Sequence, residues 1–331
     1  MTLAAEKTPL PFPKRILQCA KDTIQPAFVM IRFLLLVMLT VSFAVLLLKS
    51  TGVLHYISKY MNPLMKFLGL PGEASLAYLS SIFMNLYSAI AVIKTLDMTG
   101  KQLVILSTMC LIAHSFFVEC LIMKKTGSRI RKMVLLRIVV SLFAAWILRN
   151  ILPPGSNFLK ITASETASVP ELGFNTARFI GSLVPWFIES FFLIVQISII
   201  VFTVMFFQRI MAEFGITKKL GKIARPIIAL FGLSPNTAYA WIISNTIGIV
   251  YGAGVITEEL LTGNMSRVEA DLFNHHAAIN HSQIEDTLLF VSMGVPYAWA
   301  ALPRFLLAII VVWAERIRRA IFRSSFRVKV V

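Results

Sequence analysis

His114-Ser115-Phe116-Phe117-Val118-Glu119, in the first half of the chain, aligns position by position with His281-Ser282-Gln283-Ile284-Glu285-Asp286 in the second half. The stretch 62–70 aligns likewise with 225–233, each with proline at its second position and glycine-leucine at its end. Two further pairs lie at the offset of the histidines: Arg137 with Arg304, and Trp146 with Trp313. Chance agreement across such different residue types is improbable, so the sequence predicts an internal duplication.

The composition places this duplication in a membrane. Of 331 residues, 57% are hydrophobic and 15% are charged, and the mean hydropathy is +0.77. Soluble domains have about 45–50% apolar and about 25% charged residues. Three cysteines cannot form a disulfide framework. The chain is therefore expected to be an all-α polytopic membrane protein.

Six segments are long and apolar enough to cross a hydrocarbon core of about 30 Å. They are Ala27–Leu48, Gln102–Met123, Met133–Leu152, Val184–Phe207, Val268–Val291 and Pro296–Ala314. The basic start of the chain followed by the first of these apolar segments predicts a retained signal-anchor helix.

Two more stretches, Pro71–Ile93 and Pro235–Ile256, are long enough to cross but are rich in small and polar residues. This composition is typical of re-entrant hairpins packed inside protein, because unpaired backbone groups cannot face lipid. An amphipathic stretch precedes each one, Val53–Leu68 and Ile216–Phe231, and is expected to lie along the membrane interface.

The chain has a net charge of +16, and the positions of its Lys and Arg residues distinguish re-entrant hairpins from full spans. With two hairpins and a cytoplasmic N-terminus, about 22 Lys and Arg side chains lie inside and about 8 outside; with two extra spans the division is about 16 to 14. The positive-inside rule therefore favours about six transmembrane helices, two re-entrant hairpins and two interfacial helices, with both termini cytoplasmic.

This topology predicts the domain organisation. A cytoplasmic segment (1–26) precedes repeat 1 (27–152), an extracytoplasmic loop (153–182), repeat 2 (183–314) and a basic cytoplasmic tail (315–331). Each repeat has three crossings, an odd number, so repeat 2 is inverted relative to repeat 1. Inverted repeats with broken elements at matching places are typical of transporters whose site lies near the midplane, between the repeats.

Polar side chains indicate where that site lies. On a continuous helix, Asn274, His281 and Glu285 would share one face, and His275, Ser282 and Asp286 an adjoining one. Ionisable groups within a membrane are expensive and are candidates for function. The substrate-binding candidates are Asn236, Thr237, Ser244, Asn245, Thr246, Asn280, His281, Ser282, Glu285, Asp286, His114, Ser115, Glu119 and Arg304.

Two chemistries compete for these groups. A polar solute needs hydrogen-bond donors and acceptors, whereas a divalent metal needs imidazole and carboxylate ligands, for which His275, His276, His281 and Glu285 are the candidates. Cys110, one turn before His114, could complete a different metal corner. Arg304 is expected to pair with Glu285 or Asp286, with a substrate anion as the alternative, and Arg137 to snorkel.

Several functions are set aside. The chain has no Gly-x-x-x-x-Gly-Lys-[Ser/Thr] phosphate loop, no His-Glu-x-x-His and no Gly-x-Ser-x-Gly motif, so we expect no enzymatic activity. The expected partners are membrane lipids and a small polar solute or metal ion, but no nucleic acid. A coupling ion (Na⁺ or H⁺) or a divalent metal would be the cofactor, and a homo-oligomer is compatible with the sequence.

The run Asn274–Thr287 resembles the nucleoside-recognition, or Gate, domain family. This domain is shared by bacterial spore maturation proteins A and B, concentrative nucleoside transporters and the membrane part of ferrous-iron transporter B. The first half resembles it weakly, through the repeat. The resemblance implies an inverted-repeat fold with two hairpins, in a bacterial inner-membrane transporter of a nucleoside-like solute. A divalent metal carrier and a non-transporting membrane assembly factor are the alternatives.

Overall fold

The computed structural model describes residues 11–51, 53–153, 176–246 and 248–327. Within these ranges the chain is helical and contains no β-strand. The first half contains α1 (Phe12–Ser50), α2 (Val53–Phe67), α3 (Ala74–Phe83), α4 (Leu86–Ile93), α5 (Gly100–Ile112), α6 (Phe116–Lys125) and α7 (Ile130–Ile151).

The second half repeats this order of helices. It contains α8 (Thr176–Glu213), α9 (Ile216–Leu230), a 3-10 turn (Pro235–Thr237), α10 (Ala238–Thr246), α11 (Ile249–Leu261), α12 (Arg267–Ala277), α13 (Glu285–Val291) and α14 (Tyr297–Arg327). Each half therefore consists of a long helix, an amphipathic helix, a pair of short helices, a second short pair and a final long helix.

Four helical segments of the described residues are long and apolar enough to cross a membrane: Gly100–Lys125, Ile130–Ile151, Phe179–Glu213 and Tyr297–Phe322. The prediction of an all-α membrane protein is therefore confirmed. The first segment spans α5, a short break and α6. The predicted span Ala27–Leu48 lies within α1, a continuous helix of 39 residues.

Helices α1 and α8, the first of each half, pack against each other and run antiparallel. The Arg15 Nε atom lies 2.9 Å from Glu213 Oε1, at the start of α1 and the end of α8. Near the opposite ends, Trp186 Nε1 donates to Ser42 Oγ at 2.9 Å. Opposite directions for equivalent helices are what an inverted repeat requires.

Both predicted hairpin stretches consist of short helices that pack against each other. Helices α3 and α4 have 10 and 8 residues, which at about 1.5 Å per residue makes each about half as long as the hydrocarbon core is thick. The side chain of Asn85 caps α4 by accepting the Ser88 N–H. In the second hairpin, Gly248 directly precedes α11 and has a φ of 109°, which glycine adopts without strain.

A close approach of two helices holds the second hairpin together. A Cβ atom added to Gly252 in α11 would lie 1.8 Å from the Ser244 hydroxyl and 3.3 Å from Ser244 Cα in α10. Gly254, two residues later, has no atom within 4 Å of its ideal Cβ position. The absence of a side chain at Gly252 is therefore what lets these helices touch.

The predicted span Val268–Val291 is not one continuous helix, which corrects the sequence analysis. Helix α12 ends at Ala277 and α13 begins at Glu285. Between them Ser282 has a φ of +45°, a left-handed conformation that cannot continue an α-helix. Asn274, His281 and Glu285 therefore do not share one helical face, and neither do His275, Ser282 and Asp286.

The equivalent break occurs in the first half, between α5 and α6. Ser115 has a φ of +49°. Its backbone N–H donates to the Ser81 carbonyl of the first hairpin at 2.8 Å, and the Ser282 N–H donates to the Ser244 carbonyl of the second hairpin at 2.8 Å. Each break is thus held by a backbone hydrogen bond to the hairpin of its own half.

The helices extend beyond the predicted domain boundaries. Helix α1 begins inside the segment 1–26, α8 begins inside the loop 153–182, and α14 continues through the tail to residue 327. Charged side chains support the extension of α14, because Glu315 pairs with Arg318 and Arg319 one turn later. Residues 1–10, 154–175 and 328–331 of these predicted domains lie outside the described residues.

Candidate functional site

Ionisable side chains from both helix breaks meet inside the protein. We call this group the polar cluster, and it comprises His114, Glu119, Arg137, His281, Glu285, Asp286 and Arg304. The breaks position it, because each histidine directly precedes the left-handed serine of its half. The His114 and His281 rings lie 5.0 Å apart between centroids. The cluster thus combines equivalent residues of the two halves.

Backbone carbonyls determine the tautomer of both histidines. The Nδ1 atom of His114 lies 3.2 Å from the Cys110 carbonyl oxygen and 3.1 Å from that of Leu111. The Nδ1 atom of His281 lies 2.6 Å from the Ala277 carbonyl oxygen. A carbonyl only accepts hydrogen bonds, so Nδ1 carries the hydrogen in each ring. The Nε2 atoms therefore face the interior of the cluster.

Glu119 connects the two halves. Its Oε1 atom lies 3.0 Å from His114 Nε2 and 3.3 Å from His281 Nε2. Its Oε2 atom lies 2.6 Å from Arg137 Nη1, and the Arg137 guanidinium lies over the Phe116 ring. The side chain of Arg137 is fully buried, so the prediction that it snorkels was wrong. The buried carboxylate fixes its guanidinium there.

Arg304 binds neutral oxygen atoms instead of a carboxylate. Its Nη2 atom donates to Gln283 Oε1 at 2.9 Å and to Thr287 Oγ1 at 2.6 Å. Within the described residues it forms no ion pair with Glu285 or Asp286, so the expected pairing was wrong. The neighbouring Gln283 amide and Thr287 hydroxyl accept the hydrogen bonds of the guanidinium in place of a carboxylate.

The two carboxylates of α13 have different surroundings. Glu285 Oε1 accepts from the Tyr87 hydroxyl of the first hairpin at 3.1 Å. Asp286 Oδ2 lies 3.6 Å from His114 Nε2, but it is buried and accepts no hydrogen bond from the described residues. An unpaired buried carboxylate oxygen is costly, which makes Asp286 the side chain most in need of a ligand.

The residues expected to hold a metal do not come together. The Nδ1 atom of His275 lies 2.6 Å from the Asp271 carbonyl, and its Nε2 atom lies 4.0 Å from Glu315. His276 Nε2 accepts from Trp241 Nε1 at 3.4 Å. Among the described residues, neither side chain shares a group of metal-ligand spacing with His281 or Glu285, so the structure does not assemble the set His275, His276, His281 and Glu285.

Other residues do have metal-compatible spacing. One ligand atom from each of His114, His281 and Asp286 lies within 4.8 Å of the others, and the same holds for Asp271, His275 and Glu315. Cys110 belongs to neither group, since its Sγ is directed at the Ala77 carbonyl, 4.0 Å away.

The hairpin candidates divide into two sets. Asn280 Nδ2 donates to Asn245 Oδ1 at 3.1 Å, which brings the second hairpin to the break before α13. The other candidates bond elsewhere: Asn236 to Glu269, Thr237 to Ser234, and Thr246 to Ile242. The structure thus brings Ser244, Asn245, Asn280 and Ser282 together and leaves Asn236, Thr237 and Thr246 with separate partners.

Four side chains of this region were not among the predicted site residues: Tyr87, Arg137, Gln283 and Thr287. The alignment of Arg137 with Arg304 could have identified the first arginine as a cluster member. Tyr87 aligns with Tyr251 in the repeat, but the sequence did not indicate its partner, because its contact with Glu285 joins residues far apart in sequence.

Comparison with known proteins agrees with the predicted family. Residues 31–129 match the Gate family, described as nucleoside recognition. The chain is also similar to the uncharacterized membrane protein YvoD of Bacillus subtilis (strain 168), with 28% identity over 266 residues, which cover 78% of this chain and 82% of that protein. No solved structure gives a significant match. The family match lies in the first half, whereas the motif that suggested it lies in the second.

Proposed function

We propose that this membrane protein, whose residues 31–129 match the Gate family, is a secondary-type transporter of a small polar solute. The solute binds at the polar cluster and crosses by alternating access between the two halves. Nucleosides are the first class to test, on the strength of the family description alone.

One observation carries this proposal: two helix breaks and two hairpins meet at a single, largely buried group of ionisable side chains. Ser115 and Ser282 each bond the hairpin of their own half. The first hairpin also reaches across to α13 through Tyr87 and Glu285. Discontinuous helices expose backbone groups and helix ends to a solute, which a continuous span cannot do.

Unpaired polar atoms support a polar solute. Ser244 Oγ, Asn280 Oδ1 and Asp286 Oδ2 are buried and have no hydrogen-bond partner among the described residues. A hydroxyl can donate or accept, whereas the amide oxygen and a carboxylate oxygen accept. A solute with several hydroxyl or amino donors would satisfy these atoms.

We further propose that the protein lies in the bacterial inner membrane with both termini in the cytoplasm. The distribution of Lys and Arg supports this orientation. Helices α1 and α8 also agree with it, since the Arg15–Glu213 pair joins two helix ends that both lie on the cytoplasmic side in this topology.

The direct test is uptake into proteoliposomes. Purified protein is reconstituted, and entry of radiolabelled purine and pyrimidine nucleosides is measured with a Na⁺ gradient, with a H⁺ gradient and without either. We expect saturable uptake that falls at least about tenfold in Asn280→Ala and Glu285→Gln, which corresponds to about 1.4 kcal/mol of lost interaction. Asn236→Ala is the matched control, because this exposed side chain bonds Glu269 away from the cluster.

Two outcomes contradict the proposal. Wild-type vesicles that take up none of these solutes above protein-free vesicles would argue against nucleoside transport. Uptake that survives in both Asn280→Ala and Glu285→Gln but fails in Asn236→Ala would place the site elsewhere.

A further inference from the structure

We propose that His114, His281 and Asp286, with Glu119 beside them, bind one divalent transition-metal ion. This site differs from the metal site expected from the sequence and goes beyond solute transport. It takes ligands from both halves of the chain, two imidazoles from the breaks and two carboxylates from the helices that follow.

The orientation of the histidines is the one that metal ligands adopt. A metal-bound imidazole donates its other ring N–H to a carbonyl or carboxylate, which fixes the tautomer. His114 and His281 both do so, through Nδ1 to backbone carbonyls of the preceding helical turn. Each Nε2 atom is thereby free to offer its lone pair to an ion.

The spacing also fits. Ligand atoms bonded at about 2.0–2.2 Å to a tetrahedral ion lie roughly 3.3–3.6 Å apart. The Nε2 atoms of His114 and His281 lie 3.0 Å and 3.3 Å from Glu119 Oε1, and His114 Nε2 lies 3.6 Å from Asp286 Oδ2. The ligand atoms of His114, His281 and Asp286 are all within 4.8 Å of one another. Small movements of these side chains would therefore bring their four ligand atoms into tetrahedral coordination around one ion.

The charge balance favours a further cation at this place, because Arg137 pairs with Glu119 but no Lys or Arg pairs with Asp286 in the described part of the chain. With Nδ1 protonated, a neutral imidazole presents a lone pair at Nε2, and two such lone pairs face the Glu119 carboxylate oxygen. Asp286 Oδ2 is buried without a hydrogen-bond donor in the described part of the chain. A cation between these atoms turns each repulsive contact into a bond.

The second group of potential ligands does not need a metal ion to balance its carboxylates. It comprises Asp271, His275 and Glu315. Glu315 already forms ion pairs with three basic side chains: Lys132 at 2.9 Å, Arg318 at 2.7 Å and Arg319 at 2.7 Å. Asp271 is paired with Arg319 as well. Basic side chains thus already neutralise both carboxylates of this group, whereas Asp286 has no Lys or Arg ion pair among the described residues, so this group serves as the negative control.

The ligand types indicate the class of ion. Imidazole and carboxylate ligands suit Zn²⁺, Co²⁺, Mn²⁺ and Fe²⁺, whereas Mg²⁺ and Ca²⁺ prefer oxygen ligands alone. Co²⁺ is the best probe, because its visible absorption reports coordination by nitrogen and oxygen atoms.

The experiment measures Co²⁺ binding to the full-length protein in detergent, with any affinity tag removed and after treatment with EDTA. We expect about one equivalent of Co²⁺ after dialysis, an absorption band of mixed nitrogen and oxygen coordination, and a higher melting temperature. His281→Gln and Asp286→Asn are expected to weaken binding at least about tenfold while keeping the metal-free melting temperature. His275→Gln, at the negative-control group, is expected to bind like the wild type.

Three results would overturn the proposal: no Co²⁺ retained by the wild type, equal binding by His281→Gln and Asp286→Asn, or loss of binding in His275→Gln alone. If the cluster variants do not fold, the wild-type absorption spectrum decides, because a band of purely oxygen coordination contradicts the site. Metal binding is measured without solute, so its failure is distinct from a failure of uptake.

Discussion

Replacing Arg137 with methionine removes one partner of a buried ion pair and keeps an unbranched apolar side chain. Arg137 Nη1 lies 2.6 Å from Glu119 Oε2, and the arginine side chain is fully buried. Its Nε atom also donates to the Ile112 carbonyl, the last residue of α5, at 2.8 Å. The Arg137→Met substitution therefore leaves the Glu119 carboxylate without its positively charged partner and the Ile112 carbonyl without its hydrogen-bond donor.

The expected cost follows from this geometry. At 2.6 Å the attraction between two unit charges is about 6 kcal/mol with an effective dielectric constant of about 20. Desolvation offsets part of it, and removing one partner of a buried pair costs about 3–5 kcal/mol. We expect the free energy of unfolding to fall by this amount. Arg304→Met, which removes hydrogen bonds to a neutral amide and hydroxyl, should cost about 1.5–3 kcal/mol.

The assay is reversible unfolding with SDS in mixed micelles, followed by far-ultraviolet circular dichroism. The double variant Arg137→Met/Glu119→Gln should recover at least half of the loss, because it removes the uncompensated charge as well. A loss below about 1 kcal/mol for Arg137→Met, or strict additivity with Glu119→Gln, would refute the buried pair.

Three further predictions concern the backbone and the topology. Gly252→Ala should destabilise the second hairpin by about 1–3 kcal/mol, whereas Gly254→Ala should stay within about 0.5 kcal/mol, as measured by SDS unfolding. Ser282→Gly should keep the melting temperature, whereas Ser282→Val should lower it, because valine resists a φ of +45°. Cysteines replacing the exposed Lys59 and Lys219 should be labelled by impermeant reagents from opposite sides of the membrane; labelling from one side contradicts the inverted topology.

Much of the architecture could be predicted because it follows from local composition. Apolar length identified the long helices, and small polar residues identified the hairpin stretches 71–93 and 235–256. Capping signals at matching positions also recur in both halves: Thr99 with Gln102, and Ser266 with Glu269, each form a capping box. Such features need only a few neighbouring residues, so they are visible without the tertiary structure.

The breaks in the helices could not be predicted in the same way. Ser115 and Ser282 adopt a left-handed conformation that usually requires glycine or asparagine. They are held there by carbonyls of the hairpins, Ser81 and Ser244. Since these partners are distant in sequence, a helical projection treated 268–291 as continuous and put the wrong side chains on one face. The identical His-Ser pairs were the only local sign that both places share a special backbone.

The partner of Arg304 illustrates a different limit. Repeat alignment equates Glu119 with Asp286, and so suggests that each arginine pairs with the acid of its own half. The neighbouring residues explain why this is not so. Arg304 donates to the oxygen atoms of Gln283 and Thr287. The residues aligned with these two in the first half are Phe116, over whose ring the Arg137 guanidinium lies, and Cys120, and neither offers an oxygen atom in its side chain. An aromatic ring and a thiol cannot satisfy five guanidinium N–H groups, so Arg137 binds Glu119. Two substitutions between the repeats thus leave Asp286 without an arginine partner and available to a ligand.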